Sequence, residues 1–141
     1  MAVIRFRPSG AHPFLGFPVE GLTDVVSQLD DVLARATASL RDRMLEAPTV
    51  GAKMAAVEGW LLDHGRRCLE LNPVVEWVAR RLHEPGDLHV RDVVREIGYS
   101  QRHVSELFRR WVGLTPKQYA RVRRFQQVVR EVVRCHNRKP D

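Results

Sequence analysis

The 141-residue sequence predicts an all-α fold with a short N-terminal strand or arm. Apolar residues recur at spacings of three and four from Leu29 almost to the C-terminus. Cap and breaker residues such as Asn72-Pro73, Ser100 and Thr115-Pro116 punctuate that pattern. Only residues 2–7 alternate with a period of two. With 44% hydrophobic and 28% charged residues the chain has a globular composition, which excludes wholesale disorder. Its length fits one domain or two small ones. No apolar run approaches the length of a membrane span, and Met1–Phe6 has no signal-peptide core. Two cysteines, Cys68 and Cys135, are too few for a disulfide framework, so a reducing cytoplasm is expected.

Ala2, Ile4 and Phe6 face one way and Val3, Arg5 and Arg7 the other, which reads as a strand. The sequence supplies no second strand, so this one must pair with another chain, pack as an extended arm, or be a remnant of a larger sheet. Pro8, Gly10, Pro13, Gly16, Pro18 and Gly21 are expected to break regular structure up to Leu22. Thr23 and Asp24 can cap a short turn. Leu29, Val32, Leu33, Ala36, Leu40 and Met44 predict one helix to about Ala47, stopped by Pro48. Thr49 can cap the next, with Val50, Met54, Val57 and Leu61 inward and Gly65 as its stop.

Asn72-Pro73 pairs an N-cap with proline at the first helical position. The stripe it opens is Val74, Val75, Val78, Ala79 and Leu82, closed by Pro85-Gly86. Leu88, Val90, Val93, Val94 and Ile97 mark a short helix ending at Gly98. Ser100 caps another, with Val104, Leu107, Phe108 and Trp111 inward and Gly113 at its end. Thr115-Pro116-Lys117-Gln118 has the form of a capping box. The helix behind it is expected to run to about Arg134, burying Tyr119, Val122, Phe125, Val129 and Val132, with a frayed tail beyond.

Charge is unevenly distributed. Residues 1–73 carry 8 basic and 9 acidic side chains, whereas residues 74–141 carry 15 and 8. That asymmetry points to an acidic partner for the C-terminal half, foremost nucleic acid. Within it, a short helix, the turn Gly98-Tyr99-Ser100 and a second helix have the layout of a helix-turn-helix. The outward side of the second helix presents Gln101, Arg102, Ser105, Glu106 and Arg109, the part that enters a major groove. Trp111, Phe108, Tyr119 and Tyr99 read as packing residues, and Asp30-Asp31 as a solvated helix face. Glu106 has a competing surface reading as an ion pair with Arg109 or Arg110.

Residues 97–119 resemble the helix-turn-helix of AraC/XylS-type transcriptional regulators. The features are Gly98-Tyr99-Ser100, Leu107-Phe108-Arg109-Arg110 and Gly113-Leu114-Thr115-Pro116 before Tyr119. Arg121-Val122-Arg123-Arg124-Phe125-Gln126 resembles the helix that links the two reading units of that family. Arg5-Phe6-Arg7-Pro8, Phe14-Leu15-Gly16-Phe17-Pro18 and Leu22-Thr23-Asp24 are similar to part of the family's N-terminal region. The resemblance implies a partial sensor or dimerisation region over 1–72 and a DNA-binding region over 73–141. A typical member has two reading units; this sequence shows the first and the linker helix, so it resembles a regulator cut at both ends.

The resemblance implies double-stranded DNA as partner. Arg102, Ser105 and Glu106 would read bases, Arg102 by donating twice to guanine and Glu106 by accepting from cytosine. Ser100, Gln101, His103, Arg109, Arg110, Arg121 and Arg124 would contact phosphate or support the helix, with Arg123 a further candidate. One unit gives few base contacts, so tight binding would call for a homodimer or a full-length relative. The alternative is a truncated regulator that acts through protein–protein association, as an inhibitor or inactive fragment, without productive DNA binding. No cofactor, metal or catalytic constellation is expected. His64 and Cys68 have helical spacing but no second ligand pair, and no nucleophile motif or phosphate loop is present. The sequence names no small-molecule effector.

Overall fold

The structure, a computed structural model, describes residues 3–33, 35–66, 70–84 and 89–136. They are helical, with no strand among the described residues. In chain order come α1 (Ala11–Leu15), a 3₁₀ turn (Val19–Leu22), α2 (Leu29–Leu33), α3 (Arg35–Glu46) and α4 (Val50–Gly65). Then follow α5 (Pro73–Arg81), α6 (Val90–Glu96), α7 (Gln101–Val112) and α8 (Pro116–His136).

The N-terminal expectations need correction. Residues 3–7 form no strand, because no neighbour offers a ladder of hydrogen bonds. They run as an arm, with Phe6 packed on Phe14 at 5.0 Å between ring centroids. The proline- and glycine-rich stretch is not irregular throughout. Pro13 falls within the first turn of α1, where its missing N–H leaves no helical bond unmade. Gly16 ends α1 in the left-handed conformation at φ 78°. The breakers therefore bound short elements instead of abolishing them. Thr23 closes the 3₁₀ turn, its amide donating to the Glu20 carbonyl at 3.2 Å, while its hydroxyl donates to the distant carbonyl of Gly113.

The helix expected from Leu29 to about Ala47 is two, α2 and α3, with residue 34 outside the described residues. Asp30 is not merely solvated. It accepts from Thr37 at 2.6 Å and pairs with Arg41. Thr49 caps α4 as expected, accepting from the Ala52 amide at 3.1 Å. The inner face of α4 is set by Val57 and Trp60, whereas Val50 and Met54 are exposed. Trp60 meets Phe14 edge-on at 5.5 Å and closes a small core with Leu40 and Val57. Cys68 lies outside the described residues, and with it the expected spacing beside His64. His64 itself contacts the Phe14 carbonyl at 2.9 Å and stacks on Trp60.

The larger core lies in the C-terminal half. Asn72 accepts from the amides of Val74 and Val75, and the cap starts α5 where the sequence places it. Val75 and Val78 of α5, Val93 and Val94 of α6, and Val104 and Phe108 of α7 interlock there. Tyr119 and Ala120 of α8 close the core, with Phe108 and Tyr119 in edge contact at 5.4 Å. The Pro85-Gly86 stop and the tail beyond His136 fall outside the described residues.

The capping box is formed at α8. The Gln118 amide donates to the Thr115 hydroxyl at 3.2 Å, and the Thr115 amide donates back to Gln118 Oε1 at 2.9 Å. The buried stripe expected along α8 is not. Only Pro116, Tyr119 and Ala120 are buried, while Val122, Phe125, Val129 and Val132 are exposed. A 21-residue helix is about 30 Å long. It meets α6 and α7 near its start and outruns them.

Candidate nucleic-acid interface

The interface is built on α6, the turn at Gly98 and α7. Gly98 takes φ +70°, a left-handed backbone that a residue with a Cβ adopts at a cost, and this lets α7 cross α6 directly. Ser100 then accepts from the His103 amide at 3.2 Å. The cap fixes where α7 begins, and thus which side chains occupy its first exposed turn. Val104 and Phe108 hold the inner side at 1% and 0% exposure. The opposite side must therefore face outward, since a helix repeats every 3.6 residues.

That outer side carries the expected residues. Gln101, Arg102, His103, Glu106, Arg109 and Arg110 are exposed, and Ser105 is partly so. Their surroundings differ. Arg102 donates from Nε to Glu106 Oε1 at 2.9 Å, one turn on. That hydrogen bond holds the Glu106 carboxyl below its ordinary range and raises the Arg102 guanidinium. The surface partner of Glu106 is thus Arg102, not Arg109 or Arg110. His103 stacks on Tyr99 at 5.2 Å, so Tyr99 supports the start of α7 while remaining about half exposed. Arg109 stands exposed on the outer side.

Arg110 turns toward the N-terminal arm. Its Nε lies 3.4 Å from His12 Nε2, and His12 stacks on Trp111 at 4.2 Å. Burial, then the neighbouring Arg110, pushes the His12 imidazole below its usual pKa. Arg121 and Arg124 are exposed on α8. Arg123 faces elsewhere, bonded to Gln126 Oε1 at 2.9 Å and to His83 Nε2 at 2.8 Å.

Helical periodicity carries no sign of how the N-terminal segment braces this unit. α1 and the 3₁₀ turn both pack on α7. Thr23 Oγ1 donates to the Gly113 carbonyl at 2.6 Å, across 90 residues. Buried Ser9 donates to Glu76 of α5. These contacts are long-range pairings of single polar residues, for which periodicity carries no signal. They seat the segment on the C-terminal part of α7 and leave its first two turns open.

Among the described residues, no three His, Cys, Asp or Glu side chains stand close enough to hold a metal ion. None of the helices is long and apolar enough to cross a membrane. Residues 82–121 match the family model of the bacterial regulatory helix-turn-helix proteins, AraC family. The match begins just after α5 and spans α6, α7 and the start of α8. No solved structure matches the chain.

Proposed function

We propose that this chain, an AraC-type helix-turn-helix regulator that binds DNA, reads a specific duplex sequence with the first two turns of α7 in a major groove. The observation that carries the reading is the open outer face of α7. Gln101, Arg102, Ser105, Glu106 and Arg109 project from a helix whose other side is anchored by Val104 and Phe108. Arg102 donates to guanine O6 and N7, Ser105 contributes a flexible donor or acceptor, and Glu106 accepts from cytosine. Ser100, Gln101, His103, Arg109, Arg110, Arg121 and Arg124 contact phosphate or support the helix, aided by the positive end of α7.

The Arg102–Glu106 pair gives this reading a mechanism for selectivity. Off DNA, each side chain satisfies the other. At a site with guanine and cytosine suitably placed, both exchange that partner for base edges. At other sites Arg102 must leave Glu106 without compensation, or Glu106 stays close to phosphate and repels it. The proposed division places the DNA-binding region at 73–141 and the sensor or dimerisation region at 1–72. Two separate hydrophobic cores support it, with residues 9–23 bridging them. A bacterial type of DNA-binding unit supports a cytoplasmic setting.

Selection from a random duplex pool at near-physiological salt tests the reading. The expected result is an enriched motif in which Arg102→Ala relaxes one position. Equal recovery of all sequences, or an unchanged motif in the variant, would remove Arg102 from base reading.

A further inference from the structure

Four arginines meet in a place that base reading does not use. A groove of about 670 Å³ runs between the N-terminal arm and α8, a size within the range of small-molecule sites. Arg5 and Arg7 line it from the arm and Arg123 and Arg130 from α8, and no described carboxylate lines it. A second cleft of about 440 Å³ adjoins it through a shared wall of Arg7, Pro8, Tyr119 and Arg123. The carboxylates of that cleft are already engaged, Glu76 by Ser9 and Glu84 by Arg81. None of the four arginines makes an ion pair among the described residues. Like charges gathered along a concave surface without counter-charge raise the local potential. His83 registers it: burial, then Arg123 and Arg130, holds its imidazole below the usual pKa.

Arg123 shows a more local need. Its guanidinium is held by Gln126 Oε1 at 2.9 Å and by His83 Nε2 at 2.8 Å. Its Nε, however, is buried with no hydrogen-bond partner among the described residues. A buried N–H without an acceptor is uncommon and costly. The apolar floor nearby is Val112, Leu114 and Tyr119. These residues belong to the helix-turn-helix core and the first turn of α8, not to the open side of that helix.

We infer that the groove between the arm and α8 binds a small organic anion, its oxyanion head held by Arg7 and Arg123 and its apolar body lying on Leu114 and Tyr119. Guanidinium groups suit a carboxylate or a phosphate monoester, because their planar forks donate in pairs to such oxygens. An inorganic ion would leave the apolar floor unused, and an uncharged ligand would leave the arginines uncompensated. The inference goes beyond DNA reading and does not rest on it, since these cations lie on the arm and α8 and none on α7.

Calorimetric titration of the full chain with 2-naphthoate, without DNA, tests it. The expected result is saturable one-to-one binding with a Kd below about 1 mM, the scale for a ligand of this size. Naphthalen-2-ylmethanol, the same body without the charge, should bind at least about tenfold more weakly. Arg7→Gln and Arg123→Gln should each weaken 2-naphthoate by about tenfold and leave the alcohol unchanged. Arg134→Gln, away from the groove, should bind as the parent does. If Arg123→Gln loses helical circular dichroism, Arg7→Gln on the exposed arm makes the same test. 2-Naphthyl phosphate distinguishes the head groups, the tighter of the two anions naming the one preferred. Absence of saturable binding by both anions at about 1 mM would overturn the inference. So would equal affinity for the alcohol, 2-naphthoate binding that survives both arginine substitutions, or inorganic phosphate binding as tightly as the naphthyl ester. Displacement of 2-naphthoate by an unrelated duplex would assign the arginines to DNA phosphate and overturn it too.

Discussion

Arg102 and Glu106 lie one helical turn apart with opposite charges, and in the proposed reading each modifies what the other can do on DNA. Both are exposed, so their ion pair adds little to folding. In the proposed reading its weight falls on binding instead. Arg102→Ala should lower affinity for the selected sequence by about five- to a hundredfold and relax one base position. Glu106→Gln should act in the opposite sense on overall affinity. It removes a negative charge facing the phosphates and frees Arg102, so binding to unrelated DNA rises and discrimination narrows. Titrating both variants against the selected duplex and a scrambled one separates the two effects. A Glu106→Gln protein with weaker binding to both duplexes would show that the carboxylate supports the fold or the complex in some other way.

At the scale of elements, two glycines with left-handed backbones frame α7, and their surroundings predict unequal costs. A Cβ at Gly98 would meet open space, so Gly98→Ala should cost about 1 kcal/mol from backbone strain alone. At Gly113 a Cβ would stand 2.8 Å from Thr23 Oγ1 and 3.4 Å from Val19. Gly113→Ala should therefore destabilise more than Gly98→Ala in urea unfolding, because it adds displacement of the 3₁₀ turn to the strain. Equal losses would mean that the turn yields freely. His12 provides a second test of the same docking. Its folded-state pKa is depressed below 6.5 by burial and then by Arg110. Folding thus favours the uncharged imidazole, and its stabilisation is complete above the ordinary histidine pKa and lost as pH falls through and below it. Thermal unfolding of the parent should weaken between about pH 7.5 and about pH 5.5 by more than that of His12→Gln. An identical loss in both would remove His12 from the pH response.

What the sequence disclosed about these elements follows from how far apart the cause and the effect lie. Thr49, Asn72, Ser100 and Thr115 cap helices within three residues of themselves, so local chemistry locates each start. Val93, Val94, Val104 and Phe108 repeat with the helical period and were legible as core. Trp60, by contrast, is buried because Phe14 and Leu40 come to it from other elements, and no local rule distinguishes it from exposed Met54. The α8 stripe shows the converse. Periodicity identifies an apolar face, but burial depends on whether a partner lies opposite, and Phe125 has none within the described residues of the single chain.

For the whole molecule, the arm, the helix-turn-helix and α8 divide three tasks, and DNA selection can tell them apart. In the proposed reading the segment from Ser9 to Thr23 braces α7 from behind, α7 reads bases, and the arginines of α8 hold phosphate. Arginines that contact only phosphate add affinity without sequence information, each contributing about 0.9 to the slope of log K against log salt. Arg109→Ala and Arg121→Ala should each flatten that slope by about one and leave the selected motif intact, unlike Arg102→Ala. A slope that stays unchanged in either variant would remove that arginine from the phosphate contacts, and a motif that changes with it would move the residue to base reading.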